Sequence, residues 1–233
     1  MECYRCGTWD GQKCDCKDGQ TIFHGDCREL LSEMPKLDLV LTDPPWGVNN
    51  QNSNSDKGRG YRPYDKQAPS RNFLQCIGDD VPFDPGFLLH VDNLILWGAN
   101  HYSERLPSSS FWLAWDRKVG KVGNNSITDA ELAWTRGTTY RTVRIFRHMW
   151  AGYQRDSQAR KKHLHPMEKP LALMTWCISW FPNCELICDP FMGSGPVLEA
   201  IKTFGKQGIG IELEEKYCEI AANRLRQEVL AFS

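Results

Sequence analysis

Apolar residues along this chain gather in short continuous runs between polar stretches rich in glycine and proline, which is the pattern of strands buried on both faces. The first run is Thr21-Ile-Phe23, after which Asp26 caps a helix carrying Leu30 and Leu31, and Pro35 stops it. Leu37-Asp-Leu-Val-Leu41 is a buried strand leading into Thr42-Asp-Pro-Pro-Trp46. The two prolines cannot continue a central strand, so Asp43 to Trp46 occupy the loop at its C-terminal end. Further strands are expected at Asn93 to Trp97, Phe111 to Trp115, Glu131 to Trp134 and Thr142 to Phe146, with a helical segment from His101 to Leu106.

From Pro170 onward strand and helix patterns alternate. Pro170 opens a helix with Leu171, Met174, Ile178 and Phe181 on one side; Leu186-Ile-Cys188 is a strand; Pro196 opens a second helix that Gly205 ends. A strand from Gly208 to Ile211 and a helix from Glu214 to Leu230 follow. This third of the chain is therefore a parallel α/β unit. Two stretches break the pattern: residues 47–75, polar and without periodicity, read as a long mobile loop, and residues 1–20, rich in Cys and Gly, form an appendage too short to bury a core.

Composition narrows the class. At 233 residues with 41% hydrophobic positions and nine Trp, the chain is globular, one α/β domain with an appendage, and neither disordered nor fibrous. No run approaches the roughly 18 apolar residues of a membrane span, and the N-terminus lacks the apolar stretch of a secretory signal, so an intracellular protein without a membrane partner is expected. The net charge of −1 gives no global reason to bind a polyanion. Its distribution does: between Arg136 and Lys162 lie Arg141, Arg144, Arg147, Arg155, Arg160 and Lys161 against the single acid Asp156. The loop after Trp46 adds Lys57, Arg59, Arg62 and Lys66. The plain alternative is an ordinary solvated face.

Two local motifs carry chemistry. Asp189-Pro-Phe-Met-Gly-Ser-Gly195 turns from a strand into a helix, and Glu212 ends the next strand 23 residues after Asp189. Glycines at 193 and 195 let a ligand approach the backbone, and a carboxylate at the second strand's end can accept both hydroxyls of a ribose. Without a third glycine or a P-loop lysine, a nucleoside with a small zwitterionic tail fits this turn better than a pyrophosphate. The second motif, Asp43-Pro-Pro-Trp46, sets a carboxylate and a large aromatic on a proline-stiffened main chain. An exocyclic amino nitrogen on a base is a poor nucleophile because its lone pair is delocalised into the ring. Two acceptors, the Asp43 carboxylate and the Pro44 carbonyl, would pull on its two N–H bonds and free that pair, while Trp46 would stack on a base taken out of the helix.

With Ile22-Phe-His-Gly-Asp26, Asp129-Ala-Glu-Leu-Ala-Trp134, His165-Pro-Met-Glu-Lys-Pro170 and Gly210-Ile-Glu212 in the same order, residues 21–230 resemble the beta class of DNA amino-methyltransferases, which act on adenine N6 or cytosine N4 and include phage and solitary members. The resemblance implies an α/β, Rossmann-like methyltransferase fold with a seven-stranded, mostly parallel sheet, S-adenosylmethionine as donor, and DNA as partner in the cytoplasm or nucleoid of a bacterial or phage-infected cell. It implies that Asp43 and Pro44 bind the target amino group and Trp46 the base plane. Asp26 would meet the cofactor's adenine, Glu212 its ribose, and the turn Asp189, Pro190, Phe191, Gly193 and Gly195 its methionine end. His165 and Lys169 match the segment that closes over the methionine carboxylate. Lys57, Arg59, Arg62, Lys66, Arg141 and Arg155 are the candidate nucleic-acid contacts, and 117–163 the candidate target-recognition segment of a methyltransferase domain spanning 21–233.

The sequence departs from the family at two places. Trp46 stands where Tyr or Phe is more usual, which keeps RNA open as substrate, and Pro196 stands for the usual Thr, removing a backbone N–H at the helix start. The short recognition segment points to a short or loosely specified target, or to help from a second subunit in a homodimer. Cytosine N4 stays open as the target; an inactive binding module is disfavoured by intact Asp43, Asp189 and Glu212, and a protein-modifying enzyme by Asp43 in place of Asn.

Cysteine usage divides in two. Cys27, Cys76, Cys177, Cys184, Cys188 and Cys218 are scattered in apolar settings and read as core fillers. Cys3, Cys6, Cys14 and Cys16 crowd into C-x2-C-x7-C-x-C outside the resemblance, the spacing of a structural Zn²⁺ site in residues 1–20, with His24 as a substitute ligand and free thiols on an arm as the plain alternative.

Overall fold

The computed structural model describes residues 1–48, 77–119, 128–151, 154–155 and 168–226, with the side chains of 151, 154 and 155 left aside. Each of the eight apolar segments picked out by pattern is a strand of one sheet: β1 (Gln20–His24), β2 (Leu39–Thr42), β3 (Leu94–Trp97), β4 (Trp112–Asp116), β5 (Ala130–Arg136), β6 (Val143–Arg147), β9 (Leu186–Asp189) and β10 (Gln207–Glu212). β7 (Trp150–Ala151) and β8 (Gln154–Arg155) form a separate two-stranded ribbon. The main sheet runs β1-β10-β9-β2-β3-β5-β4-β6. Only β5 opposes its neighbours. The expected count of seven strands is thus corrected to eight.

β2 and β3 are buried at every position, because apolar layers cover both faces. One layer packs α2 (Leu171–Ser179), α3 (Pro196–Thr203) and α4 (Glu215–Arg226) against Leu39, Leu41, Ile95 and Ile187. The other packs α1 (Cys27–Leu30) and the 3-10 turn Pro85–Leu88 against Val40, Leu94, Leu96 and Ile209. Described cysteines outside the N-terminal cluster are free and buried, as core fillers should be. The segment expected to be helical from His101 to Leu106 resolves into two 3-10 turns, Ala99–His101 and Ser103–Arg105, because a non-helical Tyr102 stands between them.

The topology positions the site. From the neighbouring pair β9 and β2 the order runs outward through β10 and β1 on one side and through β3 on the other, so a crevice opens at their carboxyl ends. Asp43, Asp189 and Glu212, and the Gly25–Asp26 step after β1, all emerge at that edge. β5 and β6, which lie within 117–163, belong to the central sheet, and exposed Arg141 sits in the connection between them. No helix among the described residues is long and apolar enough to cross a membrane.

Candidate active site

The two chemical motifs meet across the β2–β9 seam. Thr42, the last residue of β2, donates its hydroxyl to Asp189 Oδ1 at 2.6 Å, and the Phe191 backbone N–H donates to the same oxygen at 3.1 Å. Asp189 is 2% exposed. Burial pushes its carboxyl up to about 7; the two hydrogen bonds oppose that rise, and the charges of Asp43 and Glu212 add to it.

Beyond Asp189 the turn coils back on itself. Gly193 and Gly195 have φ of +51° and +79°, and a Cβ on Gly195 would fall 2.9 Å from Ala221 Cβ of α4, so a side chain there is both strained and obstructed. Gly195 serves as N-cap of α3, with Pro196 at the first helical position, where a missing N–H is tolerated. Glu212 accepts from Gly193 N at 2.9 Å through one oxygen and from Glu214 N at 2.8 Å through the other. Burial raises its pKa against those two donors. A carboxylate has about four acceptor positions, so Glu212 keeps capacity for a ligand's hydroxyls. Asp26 caps α1 by accepting from Arg28 N at 2.8 Å, as its position ahead of the helix predicts.

On the other side of the seam Asp43 accepts from Trp46 Nε1 at 3.1 Å and pairs with the Lys169 ammonium. Trp46 lies against Gly98, φ +71°, where a Cβ would fall 1.9 Å from Trp46 Nε1; only glycine leaves room. His101 stacks on the indole at 4.9 Å and 13°. Lys169 Nζ sits 5.2 Å from the same ring and 3.0 Å from Glu131 Oε2, and Glu131 in turn pairs with Arg117. Burial acts to lower the Lys169 pKa, but two carboxylates outweigh it and hold the ammonium charged. Glu131 is depressed by Lys169 and Arg117 despite burial, whereas burial leaves Asp43 raised.

A single pocket of about 240 Å³ joins these parts. Asp26 and Glu212 wall one end, the Asp189 turn with Pro190, Phe191 and Gly193 its middle, and Asp43, Pro44, Trp46 and Lys169 the other end. Gly195 shapes the turn from behind. His165, Lys57, Arg59, Arg62, Lys66 and the Arg155 side chain lie outside the described residues, and Arg141 is exposed, away from the pocket walls. Cys3, Cys6, Cys14 and Cys16 assemble elsewhere, on the outer flank of β1.

Several contributors escape a reading of sequence. Thr42, His101 and Gly98 carried no local signal. Glu131 and Arg117 left a faint one, an acid inside an otherwise apolar strand and an arginine at the end of another.

A pocket lined by carboxylates and a glycine turn at the carboxyl edge of a mostly parallel α/β sheet, beside a carboxylate that precedes two prolines, is the architecture of a methyltransferase. Comparison with known proteins agrees. The profile of the N6_N4_Mtase family, described as DNA methylase, matches residues 81–223, more than half the chain, and the chain belongs to this family. Among its relatives, the type II methyltransferase M2.DpnII of Streptococcus pneumoniae is 32% identical over 251 residues, covering 91% of each protein. M.HinfI of Haemophilus influenzae, also a type II methyltransferase, is 24% identical over 255 residues, 89% of this chain and 68% of its own. Two solved structures share the fold. The cytosine-N4-specific PvuII DNA methyltransferase has a TM-score of 0.55 at 14% identity, covering 91% of this chain and 88% of that one. M1.HpyAVI, solved as its SAM complex, has a TM-score of 0.50 at 21% identity, covering 89% and 100%.

Asp189 gives this site a pH signature. Its folded-state value near 7 stands above the ordinary 3.8, so the folded protein takes up a proton between the two and loses stability as pH rises through that window. Asp189→Asn keeps a carbonyl for Thr42 and Phe191 but carries no charge. The variant should lack that slope and be the more stable form at pH 8. Urea unfolding across pH 5 to 8 checks this; parallel slopes for the two proteins would remove Asp189 as the cause.

Proposed function

We propose that the protein transfers a methyl group from S-adenosylmethionine to an exocyclic amino group of a DNA base, adenine N6. One observation carries the reading: the ribose-type acceptor Glu212 and the amino-binding Asp43 open into the same pocket, joined by the Thr42–Asp189 hydrogen bond. The pocket also fits such a donor chemically. Ser194 Oγ is buried in its turn without a hydrogen-bond partner, a polar atom that a zwitterionic ligand would satisfy, and Phe191 and Met192 supply apolar wall.

When bound, S-adenosylmethionine supplies an electrophilic methyl group. Glu212 would accept the ribose hydroxyls, Asp26 would meet the adenine edge, and the Asp189 turn would hold the methionine end. Asp43 uses one position on each oxygen for Trp46 and Lys169, so acceptor capacity remains for a target N–H. The Pro44 carbonyl takes the second N–H, and the Trp46 indole, stacked on His101 and with Lys169 Nζ 5.2 Å from its centroid, flanks the target base. Lys169, expected at the donor's carboxylate, also acts here on Asp43: its charge opposes the rise that burial imposes on that carboxyl. Arg141 and the basic loops would bear on phosphates. Adenine rather than cytosine rests on the association of Asp-Pro-Pro with adenine enzymes.

Two measurements test the two ends of the pocket separately. Glu212→Ala should lose about 1.5–3 kcal/mol of S-adenosylmethionine binding by calorimetry, the range for hydrogen bonds to a charged group; unchanged affinity would remove Glu212 from the donor site. Asp43→Ala should keep donor binding and abolish transfer to DNA. Trp46→Phe should keep most activity, while Trp46→Ala loses about 1–3 kcal/mol of stacking. Nucleoside mass spectrometry of methylated DNA, with RNA in parallel, should find N6-methyladenine. N4-methylcytosine alone would overturn the base assignment and leave the amino chemistry intact, and substantial transfer by Asp43→Ala would sink the mechanism.

A further inference from the structure

β1 lies at one margin of the sheet, with β10 on its inner side. An uncovered edge strand offers free backbone groups to other chains, and proteins rarely leave one open. Here residues 1–19 cover it. Tyr4 N donates to Ile22 O at 2.8 Å, Trp9 packs edge-on against Phe23 at 5.0 Å, and the Arg5 guanidinium bonds Gln20 O at 2.7 Å while gripping both oxygens of Asp18 at 2.6 and 2.8 Å. The cover itself has almost no means of staying folded. It contains no helix or strand, and Cys3 is its one buried hydrophobic residue. Segments this small need a covalent or metal staple.

The four thiols supply the place for one. Cys3, Cys6, Cys14 and Cys16 bring their Sγ atoms within 4.8 Å of one another, and Cys3 Sγ to Cys16 Sγ is 3.9 Å. A tetrahedron with Zn–S bonds of about 2.3 Å has sulfur–sulfur edges of roughly 3.8 Å. The cluster needs only a small contraction to match it. A disulfide would need about 2.05 Å, and all four cysteines are free. The surroundings suit thiolates: the Thr21 hydroxyl donates to Cys14 Sγ at 3.1 Å, and the turns Gly7 N to Cys3 O at 2.8 Å and Gly19 N to Cys16 O at 3.0 Å fold the chain around the sulfurs.

We infer that Cys3, Cys6, Cys14 and Cys16 bind one Zn²⁺ ion whose task is to staple residues 1–19 over the open edge of β1. Four thiolates fill the coordination sphere and leave no position for water or substrate, so the metal is structural. Methyl transfer takes no part in this inference, and either can fail alone.

The test uses the full-length protein, purified without chelators from zinc-supplemented cells. Elemental analysis should find one zinc per chain, and Co²⁺ substitution should give the visible d–d and sulfur-to-metal bands of a tetrahedral thiolate site. Cys6→Ser, at the most exposed of the four and so without loss of core packing, should lose most of the zinc. Chelation of the wild type should lower its melting temperature and release hydrogen-exchange protection in Tyr4 and along β1 ahead of the central strands. Wild-type protein that takes up no stoichiometric zinc, disulfides among these residues by mass, or full zinc retention in a folded Cys6→Ser protein would each overturn the inference. Should Cys6→Ser fail to fold, the stoichiometry and the Co²⁺ spectrum of the wild type still decide it.

Discussion

The hydrogen bond from Thr42 to Asp189 holds the two halves of the site together. It crosses the one seam in the sheet where the strand order turns outward in both directions, and it ties the residue before the Asp43 motif to the residue that opens the glycine turn. A carboxylate 2% exposed is costly, and it is tolerable here because a hydroxyl and a backbone N–H point at the same oxygen. The rest of the glycine-turn half hangs from that anchor. Phe191 N fixes the turn, the turn presents Gly193 N to Glu212, and Glu212 then closes on Glu214 N at the head of α4.

The Asp43 half depends on charge balance. Arg117, Glu131, Lys169 and Asp43 form a chain of two cations and two anions running from β4 across β5 to the loop after β2. Removing any one member would leave an uncompensated buried charge, which costs far more than an exposed pair would contribute. In this arrangement the Lys169 charge opposes the rise that burial imposes on Asp43, beside an indole in a partly apolar pocket.

Much of this was legible in sequence because it is local. Apolar runs marked the strands of the sheet, broken by Glu131 in β5 and Arg144 in β6, the prolines of Asp43-Pro-Pro-Trp46 placed that motif in a loop, and the spacing of Cys3, Cys6, Cys14 and Cys16 marked them as a set. The strand count of seven came from resemblance rather than from the runs themselves. What stayed hidden links residues far apart in the chain: Thr42 with Asp189 is separated by 147 positions and Lys169 with Asp43 by 126. Glu131 stood in the sequence as an acid inside an otherwise apolar strand, and only the folded chain shows its carboxylate paired with Arg117 and Lys169.

Thr42 is the residue through which this joint can be tested directly. Thr42→Val keeps the shape of the side chain and removes only the hydroxyl that Asp189 accepts. Measured at pH 8, the variant should lose about 1.5–3 kcal/mol of stability and bind S-adenosylmethionine more weakly. At pH 5, where Asp189 is protonated in the folded state, the stability difference should shrink. A Thr42→Val protein with unchanged stability and unchanged donor affinity at pH 8 would contradict the claim that this contact joins the two halves of the site.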